Sequence, residues 1–561
     1  MEVFKIIYSV LGGLGIFFYG MKSMSEALQS VAGDMIKNII NPLTKKRIYA
    51  VMVGTFVTML VQSSSVTTVM VVGFVNAGLM KLTQAIGIIF GANIGTTITG
   101  WIISIKVGKY GLLFIGLGIF PMLFGKKNNI RQIGRVLFGI GMIFFGLKIM
   151  SDAFKPLRAM PEFLDAISYF SGQHYGSYFA SIIVGCLLTM IVQSSSAMLG
   201  ITIALASTGV IEFHTAAALV LGENIGTTIT ALLASFGANI NAIRAARAHA
   251  IFNLLGVLFI FSIFPYYIEF VDWVVPGSTA AVGADGEFTN VAVHIASGHS
   301  IFNITATVLF LPFLNKLANL VIKITPDRET KEQHHLVMLG EPKDMIPATS
   351  LAQAKAETDK LKEIVDKMYN LSKAILKEKV DESSKSKAIA KIKDYEQITD
   401  NIQKEITVFL VKLFEVPLSA KESREAQSLM KVADELESVA DYLTSLTVYS
   451  TRMPLSELLE NEAGSDFFKF FKEVKAFYKM SANNVVTEEP IDLTLIQRKS
   501  EELRLRANDI RDRHIQRVGK GECQPLTALT YSDMIVALRK IRSHSENIAQ
   551  AYGQALMEEA T

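Results

Sequence analysis

Apolar positions along this chain follow two regimes. Up to about residue 325 they form long runs of the kind that fit hydrocarbon. Beyond it they recur every three or four positions among charged residues, as in Leu361, Ile364, Met368, Leu371 and Ile375, the spacing of a helix buried on one face. The first regime predicts spans at about 4–28, 81–103, 111–124, 136–154, 212–235, 250–264 and 293–313. The second predicts helices at about 350–379, 384–415, 421–451, 465–485, 491–518 and 526–556. Pro326, Pro342 and Pro347 punctuate a linker over 326–348, and breaks near Pro417 and Pro454 divide the later helices into two sets of three. The expected fold class is all-α: a polytopic membrane domain over 1–325 and a soluble helical bundle over 349–561.

Two apolar runs are interrupted by the same five letters. Val61-Gln62-Ser63-Ser64-Ser65 returns as Val192-Gln193-Ser194-Ser195-Ser196. Each unsatisfied polar group in hydrocarbon costs several kcal/mol, so a bound polar substrate is the leading compensation. The apolar arms around the first copy, roughly 14 and 11 residues, are too short to cross about 30 Å at about 1.5 Å per residue. The pattern fits a re-entrant hairpin with the serines at its tip, or one broken helix, over about 48–76 and again over 179–208.

The interruption belongs to a larger duplication. Phe17–Leu28 matches Ile143–Phe154, and Gly54–Gly100 matches Gly185–Ala231 without a gap, with 18 identities in 47 positions. Repeat 1 covers about 4–125, repeat 2 about 136–264, and the span at 293–313 is extra. Residues 1–28 lack a small-residue cleavage site and have a copy in mid-chain, so they are expected to be a span and not a signal peptide.

Charge then orients the copies. Residues 1–326 hold 20 Lys/Arg and 12 Asp/Glu, against 35 and 40 in 327–561, which places the domain boundary. Lys45, Lys46, Arg47, Lys126, Lys127, Arg131, Arg135, Arg244 and Arg247 mark cytoplasmic loops by the positive-inside rule. The stretch 265–290 holds Glu269, Asp272, Asp285 and Glu287 without Lys or Arg and is placed outside. The copies then run in opposite directions, as inverted repeats, although Lys106 and Lys109 fall outside against the rule. A net charge of +3 is too small to suggest nucleic acid as a partner, and Cys186 and Cys523 fall in different domains, so no disulfide framework is implied.

Each copy carries a second polar motif 31 residues after its glutamine: Gly91-Ala92-Asn93-Ile94-Gly95-Thr96-Thr97 and Gly222-Glu223-Asn224-Ile225-Gly226-Thr227-Thr228. Its glycines are expected to let the backbone unwind, exposing carbonyls that suit Na⁺. The helix restarting after the serines offers free N–H groups and a positive dipole end to an anion. Gln62, Ser63, Ser64, Ser65, Gln193, Ser194, Ser195 and Ser196 are therefore expected to hold an anion. Thr67, Asn93, Thr96, Thr97, Glu223, Asn224, Thr227 and Thr228 are the Na⁺ candidates. No arginine stands near either QSSS. Glu223 is a candidate for a cation or a proton, or else a structural partner of Arg244. His249-Ala250-Ile251-Phe252-Asn253 recurs as His299-Ser300-Ile301-Phe302-Asn303, which suits helix cross-linking or pH sensing. The matched Lys22 and Lys148 are expected to snorkel or pair locally.

The paired QSSS, each followed by G-x-N-I-G-T-T, and the HxxFN segments resemble the type II sodium–phosphate cotransporter family over about 1–325. The resemblance implies a symporter that imports inorganic phosphate with Na⁺ as coupling ion, its substrate serines falling on Ser63–Ser65 and Ser194–Ser196. Electrogenic animal members carry an acid within their HxxFN-like segment, where this chain has Ala250 and Ser300. The C-terminal part resembles a PhoU-like domain, whose E-x-x-x-D pairs bind divalent metal. Glu396 with Asp400 and Glu437 with Asp441 keep that spacing, while Arg539 and Ser543 stand where acids would be in the second half.

The expected function is thus a Na⁺-coupled phosphate importer working by alternating access. The alternatives are a carrier of another small anion and a membrane-anchored phosphate sensor. Expected partners are phosphate, Na⁺, the lipid bilayer, a second copy as homodimer and a regulatory partner at the soluble domain. The expected place is the cell (inner) membrane, with the C-terminal domain cytoplasmic. No organic cofactor is implied, and the membrane part shows no nucleophile–base pair or metal triad, which argues against an enzyme.

Overall fold

The computed structural model describes residues 2–44, 46–76, 78, 80–105, 110–236, 238–283, 286–326, 347–376, 382–416, 418–459, 461–487 and 492–557. The expected linker falls almost wholly outside the described residues, as do Lys45, Lys106, Lys109, Asp285 and Pro417. The described chain is all-α, relieved by one isolated bridge, Val282 to Phe288. Two compact units part after residue 326, and each stands by itself below.

The first unit holds α1 (Glu2–Leu43), α2 (Arg47–Val61), α3 (Ser64–Asn76), α4 (Leu82–Ser104), α5 (Gly111–Phe124), α6 (Asn128–Phe154), α7 (Pro161–Ile167) and α8 (Tyr175–Val192). It continues with α9 (Ser195–Ser207), α10 (Phe213–Gly226), α11 (Thr228–Ala234), α12 (Ile240–Ser262), α13 (Phe264–Val274), α14 (Val291–Phe310) and α15 (Leu314–Ile324). Seven stretches among the described residues are long and apolar enough to cross a membrane, while α2, α3, α5 and α9 are apolar but short. Leu112, Leu113, Leu117, Phe120, Leu123 and Phe124 of α5 are exposed, as a lipid-facing helix would leave them. Several boundaries differ from the sequence pattern, with α6 and α12 beginning earlier, at Asn128 and Ile240. The first helix continues to Leu43 because no proline interrupts it before Pro42, and part of the expected outer loop is helical as α13.

Close glycine contacts set the direction of the helices. A Cβ on Gly54 would sit 2.0 Å from the Ile88 carbonyl oxygen, and one on Gly91 would sit 1.9 Å from that of Val51. Gly87 meets Ala50 and Gly95 meets Thr55, so partners advance together and α2 and α4 run parallel. The short α3 between them must therefore return, and α2–α3 is a hairpin with the first QSSS at its tip. Gly185 against Leu219, Gly222 against Ile182 and Gly226 against Cys186 repeat this for α8 and α10, with α9 returning between them. Of the two arrangements left open by the pattern, hairpin and broken helix, the packing shows the hairpin.

The two hairpins open toward opposite ends of the unit. Asn239, at the start of α12, ties to Asn76 at the base of the first hairpin, its backbone N–H donating to Asn76 Oδ1 at 2.8 Å. At the far end of α12, the Ser262 carbonyl accepts from Tyr175 Oη at the base of the second. These bases are separated by the 23 residues of α12, about 34 Å of helix at 1.5 Å per residue. The first helices of the two repeats also oppose one another: Gly13 meets Gly146 and Gly20 meets Gly139, so α1 and α6 cross antiparallel on a glycine seam.

The second unit comprises α16 (Pro347–Ile375), α17 (Glu382–Leu413), α18 (Ala420–Tyr449), α19 (Leu455–Leu458), α20 (Asn461–Thr487), α21 (Leu493–Gly519) and α22 (Pro525–Met557). The predicted stripe is its core: Leu361, Ile364, Met368 and Ile375 are buried, and Leu371 lies half-buried at the edge. Ser419 and Glu422 close a reciprocal cap at the start of α18.

Candidate functional site

Each hairpin turns on a glutamine in left-handed conformation, Gln62 at φ 57° and Gln193 at φ 56°. They are the two non-glycine residues with positive φ among the described residues. The turn ends one helix and starts the next within two residues. Ser63 Oγ accepts from the Val66 N–H at 3.2 Å, and Ser194 Oγ accepts from the Ala197 N–H at 3.3 Å, so each first serine caps its helix.

Both tips line one cavity of about 190 Å³, formed by Gln62–Ser65, Gln193–Ser196 and one wall of α1. The N-termini of α3 and α9 thus reach the same space. The hydroxyls of Ser64, Ser65, Ser195 and Ser196 have no hydrogen-bond partner among the described residues. Free hydroxyl donors beside two helix N-termini make a cradle for a small anion. All eight residues expected to hold one are therefore together. The wall of α1, with Phe17, Phe18, Met21, Lys22 and Ser25, was missed by the sequence reading. Ser25 Oγ donates to the Val61 carbonyl at 2.6 Å, fastening α1 to the first turn. The repeated F-x-G-x-K segment, Phe18–Lys22 and Phe144–Lys148, was the available signal.

The backbone of the second polar motif is not built as expected. α4 is a continuous helix through Gly91–Thr97, so its backbone is not unwound there. Its glycines serve close approach to α2. Thr96 and Thr97 donate back to the carbonyls of Ala92 and Ile94, and Thr227 and Thr228 to those of Glu223 and Ile225. In the second copy the helix breaks only at Thr227, between α10 and α11. Asn93 Nδ2 donates to Asn253 Oδ1 at 2.7 Å, joining α4 to α12, while Asn224 Nδ2 donates to the Val220 carbonyl. Thr67 accepts from Thr58 and donates to the Ser63 carbonyl, directly behind the first tip. None of these Na⁺ candidates lines the cavity.

Glu223 is buried and accepts from Thr202 Oγ1 at 2.9 Å. The matching positions in the first copy are Ala92 and Val71, so acid and hydroxyl come as a pair in one repeat only. Arg244 instead donates to the Thr325 carbonyl and to Asn241, and Arg247 to Ile324 and Thr325, clamping the end of α15 to the start of α12. Asn253 and Asn303 each donate to the carbonyl of the histidine four residues earlier. Both ring nitrogens of buried His249 lack a partner among the described residues.

A match to the Na⁺/Pi-cotransporter family model covers residues 16–152 and 165–267, the stretch that builds the whole cavity. "Uncharacterized protein YqeW" of Bacillus subtilis is 30% identical over 329 residues, 57% of this chain and 99% of that protein. The chain belongs to the Na⁺/Pi-cotransporter family. The family reading makes it a multi-pass membrane protein of a transporter family. "Putative inorganic phosphate export protein YjbB" of Salmonella typhimurium is 26% identical over 428 residues, 76% of this chain and 75% of that protein. "Sodium-dependent phosphate transport protein 2A" of Rattus norvegicus is 39% identical over 100 residues, 17% of this chain and 15% of that protein. No solved structure matches.

Residues 358–447 match the PhoU domain, which spans most of α16 to α18. There Glu396 and Asp400 of α17 face Glu437 and Asp441 of α18. Burial, then the nearby Asp441, Asp400 and Asp434, push the Glu437 carboxyl up to about 7. Asp400 is already engaged by Lys404 Nζ at 2.7 Å. Among the described residues no group of three His, Cys, Asp or Glu side chains lies close enough to hold a metal ion. Lys404 is the local cation of the four carboxylates.

Proposed function

We propose that this protein is a Na⁺-coupled carrier of inorganic phosphate, with the anion held between the two QSSS tips and Na⁺ bound behind them by Thr67 and by the Asn93 and Glu223–Asn224 segments. One observation carries the reading: two opposed hairpins bring eight polar residues and two helix N-termini to one cavity. Hairpins that open toward opposite ends suit alternating access, since each tip borders the site from one side. They also support the inverted-repeat relation between the two halves. An inward Na⁺ gradient would drive such a symporter toward import, and the positive loops support a cytoplasmic PhoU domain on an inner-membrane protein.

Radiolabelled phosphate uptake into proteoliposomes, with and without an imposed Na⁺ gradient, tests the coupling. Na⁺-stimulated uptake is expected, and uptake indifferent to Na⁺ sinks the proposal. Ser64→Ala with Ser195→Ala is expected to abolish uptake while the protein stays folded. The name borne by the YjbB relatives favours a second reading, outward movement. Phosphate release from preloaded vesicles against a Na⁺ gradient would select it. Phosphate binding without flux in either direction would instead indicate a sensor.

A further inference from the structure

The cavity holds one charged side chain, and the duplication shows how unusual its position is. Lys22 lies on the α1 wall among the QSSS residues. Its repeat-mate Lys148 stands outside the cavity and is neutralised, with Nζ 3.0 Å from Asp152 Oδ1 and 3.9 Å from Glu287 Oε1. Lys22 meets a single carboxylate, Glu26, at 3.9 Å, the outer edge of ion-pair range, and its side chain is 76% exposed. The same lysine was therefore copied into both repeats, and only one copy borders the anion cradle, its own acid at the outer edge of pairing range.

Charge balance gives that copy a role. The serines and glutamines are neutral, and the two helix N-termini supply about half a charge each. Together they match a singly charged anion. Before any Na⁺ binds, doubly charged phosphate leaves roughly one charge over. An ammonium is a compact point charge suited to phosphate.

We propose that Lys22 is the specificity-determining cation of the phosphate cavity, selecting the doubly charged over the singly charged ion. This rests on the phosphate-carrier reading above. The test uses the full-length protein in two assays: equilibrium binding of radiolabelled phosphate in detergent, and uptake kinetics in proteoliposomes. Both are run at about pH 6, where the singly charged ion prevails, and about pH 8, where the doubly charged one does.

Lys22→Met and Lys22→Gln are expected to weaken phosphate binding and raise KM about tenfold at the higher pH. A change of less than about threefold is expected at the lower pH, with maximal velocity retained, and Lys22→Arg is expected to restore most of the loss. Lys148→Met is expected to leave both constants unchanged. No weakening in either neutral variant, equal weakening at the two pH values, or failure of the arginine to rescue would each overturn the proposal. Loss of flux with pH-dependent binding intact would count against the carrier reading and leave the role of Lys22 supported.

Discussion

The two QSSS turns are spelled alike and built alike, yet they are held differently. In the first, Gln62 is buried, its Oε1 accepts from Thr99 at 3.1 Å, and its amide donates to the Met59 carbonyl. Thr58 and Thr67 bond behind it, and Ser25 fastens it to α1. In the second, Gln193 is exposed and its side chain has no partner among the described residues. Thr230, which matches Thr99, turns back to the Thr227 carbonyl, and Met198 stands where Thr67 would be. Duplication thus conserved what faces the cavity and released what lies behind it. One tip is a fixed wall and the other is free to adjust around an occupant.

The largest expected effect tests whether the scaffold is as symmetric as the tips are not. Gly91→Ala and Gly222→Ala each put a methyl about 2 Å from a backbone oxygen. Forcing the paired helices apart is expected to cost about 3 kcal/mol in either repeat, read as equal losses of folded yield and uptake. A clear inequality would mean that one hairpin carries the fold. Next, Gln62→Ala is expected to lower both thermal stability and uptake, whereas Gln193→Ala lowers uptake alone. Melting temperatures alongside KM separate the two, and equal melting shifts would erase the distinction drawn above. Thr99→Val is expected to cost about 1 kcal/mol, the net worth of one buried hydrogen bond, and to raise KM severalfold. Thr230→Val should leave the melting temperature and KM of transport where they were.

The smallest effect lies in the second unit. Glu437 titrates higher in the fold, at about 7, than in an open chain. Between its unfolded and folded values the native state binds the extra proton, so stability falls as pH rises through that window and levels off above it. Glu437→Gln removes the penalty. Hydrogen exchange over α17 and α18 in the whole protein should slow in this variant at about pH 8 and match the parent at about pH 4.

Much of this was legible in the sequence because duplication writes the same constraint twice. The pairing of Gln62–Ser65 with Gln193–Ser196, the six long soluble helices and the Leu361–Ile375 stripe all follow from spacing. The role of Gly91 and Gly222 was not legible: a glycine that unwinds a helix and one that lets a neighbour approach are the same letter, and only the partner backbone distinguishes them. The α1 wall was hidden for a similar reason. Phe17, Met21 and Ser25 repeat at helical spacing in any apolar helix, and nothing local says that this face borders a cavity. The fate of Lys22 and Lys148 depended on Asp152 and Glu287, the latter more than a hundred residues away.

The left-handed glutamines have one more consequence. A non-glycine residue in that region costs roughly 1–2 kcal/mol, and glycine would remove the cost while loosening the turn. With glutamine, the torsion of each tip is fixed during folding, so the approach of an anion does not have to organise the backbone that receives it. The two turns are in this sense preorganised, and what binding leaves to be arranged is confined to side chains, Gln193 foremost among them.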